Sequence, residues 1–135
     1  TGGAGGRNGP LVVAVTLLTS LGEEALRGHL GVPEDPQGYA VRMALAAREC
    51  GLDGVVASAL EAEAVRRACG PGFVIVTPGI RPAGVDSGGH ARAATPRRAA
   101  LAGADYLVVG RAVTAAPDPA EAARLLLEEV ASAFE

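Results

Sequence analysis

Phe73 to His90 reads FVIVTPGIRPAGVDSGGH. Its first four residues are an unbroken apolar run, Phe73 to Val76. The remaining stretch, Thr77 to His90, holds four glycines and two prolines. An apolar residue at every position fits a strand covered on both faces, as in parallel sheets, better than one with a wet face. The glycines (Gly79, Gly84, Gly88, Gly89) and prolines (Pro78, Pro82) exclude a regular helix after it. A strand that runs at its C-terminal end into a long Gly-rich loop is how α/β barrels place a ligand site. Ordered loops of this length are usually functional.

Similar apolar runs lie on either side: Leu11 to Thr16 (LVVAVT), Asp53 to Ala57 (DGVVA) and Asp105 to Val109 (DYLVV). Helical patterns separate them. Pro36 to Cys50 places Tyr39, Met43, Ala46 and Ala47 on one side, and Leu60 to Cys69 reads as a short helix. Thr95-Pro96 starts another, because threonine caps and proline suits the first turn. That helix runs to about Ala102 and stops at Gly103. Asp118-Pro119 opens the last, ending near Phe134, with Leu125, Leu126, Val130 and Ala133 as its buried stripe. The first crossover is the longest, with room for a short helix around Glu23 to Leu30 before a break from Gly31 to Pro36. No internal repeat is evident.

Strands alternating with helices predict a parallel sheet with right-handed crossovers. Four βα units make either a small open sheet or half of an eight-stranded barrel. A full barrel takes ~250 residues, and this chain has 135. Four strands alone leave two unpaired edges, an invitation to associate.

Composition narrows the partners. Hydrophobic residues are 49% and aromatics only 3%, so the core must be aliphatic. A net charge of −3 gives no basic face for nucleic acid. No run approaches a membrane span and no signal segment opens the chain. Cys50 and Cys69 show no metal-ligand spacing. At helix ends they are expected to be buried free thiols, which fits a reducing cytoplasm. All 12 basic residues are arginine. A chain without lysine cannot run a mechanism that needs its own ε-amino group.

Three clusters could carry chemistry. The Thr77–His90 loop is the first. Val109-Gly110-Arg111 closes the fourth strand: glycine lets a backbone amide approach an anion, and arginine can hold phosphate through charge-assisted bonds, in a bidentate fork where geometry allows. If these strands are seven and eight of a barrel, this is the expected phosphate position. Val15 to Ser20 (VTLLTS) ends the first strand with hydroxyls that either meet a ligand or turn the chain. Of the two histidines, His90 lies in the Gly-rich loop and His29 near a helix end. Paired carboxylates at strand ends and a nucleophile elbow are both absent. Glu61-Glu63 and Glu128-Glu129 read as solvated helix faces, and Asp53 and Asp105 begin strands, the wrong end for barrel catalysis.

Taken in order, AVTLLTS, GLDGVVASALEA, VTPGIRPAG and ATPRRAALAGADYLVVGRAVTAAPDP resemble the bacterial type of orotidine 5′-phosphate decarboxylase. The resemblance runs from Leu11 almost to the C-terminus. It implies a (β/α)8 TIM barrel with strands five to eight here, in residues 11–135. Residues 1–10 then read as a remnant of the strand-four region or a junction, where a longer product has been cut or joined. It implies conversion of the nucleotide OMP to UMP and CO2, the last step of de novo pyrimidine synthesis, with no cofactor and no metal. By the same resemblance Arg111 and the Gly110 amide grip the 5′-phosphate and Arg81 binds ligand. Thr19 supplies a hydroxyl near the pyrimidine, and Pro78 and Gly79 fold over the base. His90 stands where the family has glutamine, which offers donor and acceptor on one amide; neutral imidazole offers one of each on rigid positions. The family's Asp-x-Lys-x-x-Asp motif has no counterpart here, so isolated activity is not expected. The partners implied are the nucleotide, a homo-oligomeric mate or a missing N-terminal half. A half-barrel that binds a phosphorylated ligand without catalysis is the alternative.

Overall fold

A computed structural model describes residues 9–84 and 93–135. The elements follow in the order β1 (Val13–Val15), α1 (Glu23–Gly28), α2 (Pro36–Glu49), β2 (Gly54–Val56), α3 (Ala59–Cys69), β3 (Val74–Thr77), α4 (Pro96–Leu101), β4 (Tyr106–Leu107), α5 (Arg111–Thr114) and α6 (Pro119–Ala131), closed by a 3₁₀ turn at Ser132–Phe134. The strands form one sheet in sequence order, β1-β2-β3-β4, with every neighbour parallel. That is the expected succession of βα units.

Side chains cap the longer helices where the sequence places them. Asp35 accepts from the Gly38 amide at 2.7 Å before α2, Thr95 from Arg98 before α4, and Asp118 from Glu121 before α6. Proline follows each cap in the first turn, where its missing amide costs nothing. α3 starts on Ser58, whose hydroxyl accepts from the Leu60 amide and donates to the Glu61 carboxylate. Glu61 is therefore not on a solvated face. It is 2% exposed, because the S-x-x-E spacing of a capping box turns the carboxylate back over the helix start.

The core lies on one face of the sheet. Val55, Ala57 and Ile75 pack against Ala44 and Ala47 of α2 and Ala62, Val65 and Cys69 of α3. Burying each of the larger aliphatic side chains contributes about 1.5–3 kcal/mol. The small alanines let the helices sit close to the sheet, and the buried Phe73 joins the same cluster, so the core is not, as expected, wholly aliphatic. A second cluster joins Ala59, Ile80, Ala94 and Ala99 at the other end of β3. Gly54 permits the close approach of β2 to β3: a Cβ there would stand 2.1 Å from the Val74 carbonyl oxygen.

Among the described residues the opposite face is only partly covered. The register aligns Val15, Val56, Val76 and Tyr106 in one row, alternate to the helix-facing residues. Val15 is 57% and Tyr106 58% exposed. Among the described residues the helices pack against one side of the sheet. Three further expectations are corrected. Cys50 is exposed, since it caps α2 beyond its packed face; only Cys69 is buried. Leu125 is 52% exposed, and Leu126 alone is buried along α6, because that helix packs against α4 and α5 by a narrow stripe. Finally, α5 was not anticipated: four residues are too few for a periodic signal.

Candidate functional site

The site is built on the C-terminal ends of β3 and β4. β3 ends at Thr77, and Gly79 turns the chain with φ +73°, a conformation glycine adopts without steric cost. The next residues run beside Ala94. The Arg81 amide donates to the Ala94 carbonyl at 2.9 Å, and the Ala94 amide to the Gly79 carbonyl at 3.2 Å. The Gly-rich loop thus departs and returns at one point, immediately ahead of the Thr95 cap. β4 continues alongside, with the Val108 amide donating to the Thr77 carbonyl at 2.9 Å. Gly110 then caps α5, and Arg111 is the first residue of that turn.

These segments enclose a cleft of about 220 Å³, lined by Pro78, Gly79, Ile80, Arg81, Val108, Gly110 and Arg111. The lining carries two guanidiniums and no carboxylate. Arg81 is 8% exposed and Arg111 is exposed, so one charge sits at the base of the wall and the other at the mouth. A Cβ added at Gly110 would meet nothing within 4 Å outside its own stretch of chain, so this side of the cleft is open. Pro78, Ile80 and Val108 supply an apolar wall. The arrangement suits a ligand with an anionic end and a flat or apolar body. The volume is below the ~300–1,000 Å³ usual for small-molecule sites.

Five expected site residues, Pro78, Gly79, Arg81, Gly110 and Arg111, are brought together here. Thr19 is not among the lining residues; it is buried in the turn after β1. His90 lies outside the described residues. His29 caps α1, with its backbone amide donating to the Ala25 carbonyl. The sequence marks the Thr77–His90 loop as a whole without singling out Thr77 or Ile80 in it, and Val108 was not named. The signal was available for Val108, which alternates with helix-facing Leu107 and so must face the cleft side. The Thr77 hydroxyl is fully buried and has no hydrogen-bond partner among the described residues. Among the described residues no group of three or more His, Cys, Asp or Glu is placed to hold a metal, and no helix is long and apolar enough to cross a membrane.

Residues 3–126 match the family model described as orotidine 5′-phosphate decarboxylase / HUMPS. The chain belongs to this family. It is 56% identical over 124 residues to the orotidine 5′-phosphate decarboxylase of Moorella thermoacetica, covering 92% of this chain and 49% of that relative. Among solved structures it resembles the Lactobacillus acidophilus orotidine 5′-phosphate decarboxylase, with TM-score 0.72 and 35% identity over 90% of this chain and 49% of that one. It also resembles the Pyrococcus horikoshii enzyme, with TM-score 0.55 and 32% identity over 77% of this chain and 47% of that one. The chain therefore spans about half the length of these relatives. Its fold is the matching half of a (β/α)8 barrel: a four-stranded parallel sheet carrying its helices on one face. In such barrels the ligand site lies at the C-terminal ends of the strands, the end at which the cleft lies.

Proposed function

We propose that this chain is the phosphate- and nucleotide-gripping half of an orotidine 5′-phosphate decarboxylase. The supporting observation is the cleft that Arg81 and Arg111 line together with Gly110 and an apolar wall. In this reading Arg111 and the Gly110 amide hold the 5′-phosphate, and Arg81 holds a second polar edge of the ligand. Pro78 and Gly79 cover the base, Thr19 offers it a hydroxyl, and His90 stands in for a glutamine that ties the loop to the nucleotide.

The reaction breaks the bond between C6 of the pyrimidine and its carboxylate. CO2 departs, the electron pair stays on C6, and a proton replaces the lost group. The family's proton donor is a lysine, and this chain has none. Its role is to fix the phosphate, so that binding energy far from C6 favours the strained transition state. Calorimetric titration with UMP tests the assignment. Arg111→Ala should weaken binding by about 1.5–3 kcal/mol, the range for a hydrogen bond to a charged group. Unchanged affinity would remove the phosphate role from Arg111. Purified 135-residue protein should show no release of CO2 from OMP; measurable turnover would contradict the division of labour.

A further inference from the structure

Charge is distributed unevenly along the strand direction. The chain has a net charge of −3. Yet the described segments at the C-terminal ends of the strands, residues 16–22, 57–58, 77–84, 93–98 and 108–117, contain no aspartate or glutamate and four arginines, Arg81, Arg97, Arg98 and Arg111. The acids that follow these segments are committed elsewhere: Glu23 pairs with Arg27, Glu61 bonds to Ser58, and Asp118 caps α6. Arg81 and Arg111 line the cleft. Arg97 and Arg98 occupy the first turn of α4 and are exposed. That turn is tied to the cleft, because Ala94, next to the Thr95 cap, bonds to the backbone of Arg81 and Gly79. A helical turn is ~5.4 Å long, so both arginines stay close to that junction.

Two observations set Arg97 and Arg98 apart. Arg27, Arg42, Arg66, Arg67 and Arg124 pair with carboxylates, and Arg48 bonds to carbonyls. Among the described residues the Arg97 and Arg98 guanidiniums make no hydrogen bond or ion pair. They also stand at the positive end of the helix dipole, which disfavours cations; α1, α3 and α6 carry glutamate there. α4 has neighbours from this chain on both sides, α3 and α6, and its first turn is exposed in spite of them. Two unpaired cations set against a dipole cost stability instead of supplying it.

We propose that Arg97 and Arg98 form an electrostatic approach to the cleft, drawing a phosphate ligand toward Arg81 and Arg111 without holding it once bound. The inference rests on the nucleotide reading for the ligand's charge, about −1.5 to −2 for a phosphate monoester near neutral pH. A focused positive potential raises the association rate of such a ligand and is screened by salt. The Debye length is ~30 Å at 0.01 M salt and ~3 Å at 1 M, so charges on the first turn of α4 act on the cleft mouth at low ionic strength. Charges at the rim of a site change how fast a partner arrives more than how fast it leaves.

Stopped-flow association of UMP with the 135-residue chain separates the two rates. Arg97→Gln/Arg98→Gln should lower the association rate constant about 3- to 10-fold at about 0.01 M salt. Dissociation should stay within about twofold of the parent, and association should match the parent at about 1 M salt. Thermal melts should show no loss of folding, since the removed charges oppose the dipole. Arg27→Gln/Arg67→Gln removes the same charge from pairs closed within their own helices and should leave association unchanged. An association rate that the rim variant does not lower at low salt would overturn the proposal. So would a loss that resides in dissociation, which would make the two arginines direct contacts. A second measurement needs no nucleotide: relaxation of backbone amides by small anionic and cationic nitroxides. The anionic probe should enrich at Arg97, Arg98, Gly110 and Arg111, and the rim variant should lose about half of that enrichment or more. Equal enrichment in parent and variant would sink the idea. The expected enrichment and its loss, in a parent that binds no UMP, would count against the nucleotide reading alone.

Discussion

The two ends of the sheet are built on opposite terms. At the N-terminal end, charged side chains are tied to backbone. Arg66 reaches the Phe73 carbonyl at 2.5 Å, the Gly103 carbonyl at 2.8 Å, the Gly70 carbonyl at 2.9 Å and the Asp105 carboxylate at 2.6 Å. Asp105 also accepts from the Ile75 amide, and Asp53 from the Val12 amide. These bonds stitch the end of α3 to the starts of β3 and β4, and β2 to β1. At the C-terminal end, the same residue type faces a cleft. Arg81 and Arg111 line it beside Gly79 and Gly110. The N-terminal end of the sheet is thus held by bonds to the backbone, while the C-terminal end opens a cleft, the end at which such folds place their ligands.

Removing one arginine from each end breaks or sharpens that contrast. Arg66→Ala strands several carbonyls and a carboxylate, and should lower unfolding stability by about 2–4 kcal/mol in a urea titration. UMP affinity of the folded fraction should not change. A loss below about 1 kcal/mol would mean that the clamp is ornamental. Arg111→Ala should do the reverse, losing about 1.5–3 kcal/mol of UMP binding with stability within about 0.5 kcal/mol of the parent. If it destabilised as Arg66→Ala does, the two ends would not differ in kind.

Thr77→Val should be neutral or raise stability by about 1 kcal/mol, since it removes a buried hydroxyl that gains nothing. A clear loss would show that the hydroxyl has a partner in solution. The smallest effect concerns pH. Burial pushes the Cys69 thiol above its ordinary range, partly opposed by the Arg48 and Arg66 charges. The folded state therefore holds that proton more tightly than the unfolded one. The resulting stability is present below the unfolded thiol's pKa and is lost as pH rises through the folded value. Thermal melts of the parent should fall more steeply above about pH 9 than those of Cys69→Ala. Parallel curves would remove the thiol from the alkaline transition.

Legibility varied with the range of the interactions. Asp35, Thr95 and Asp118 act within one turn of their own helix, so their pattern names them as caps. TPGIRP and GR sit directly at strand ends, so the cleft residues could be named before the sheet was known. Glu61 carried a local signal too, since Ser58-x-x-Glu61 is a capping box, and the reading of a solvated face overlooked it. Leu125 could not be read this way: among three successive leucines only packing decides which is buried. The same holds for Cys50 and Cys69, both at helix ends and oppositely exposed.

The sequence by itself determined the βα alternation, the parallel sheet and the residue types that meet at its C-terminal end. Those follow from local apolar runs, caps and turn glycines, whose causes lie within a few residues. Tertiary structure alone decided that α5 starts at Arg111, that Ile80 and Val108 form the apolar wall, and that among the described residues the helices pack on one face of the sheet. Unbroken strands such as LVVAVT carry apolar residues for both faces. Whether the second face is covered depends on what stands opposite, and that is a property of the assembled fold.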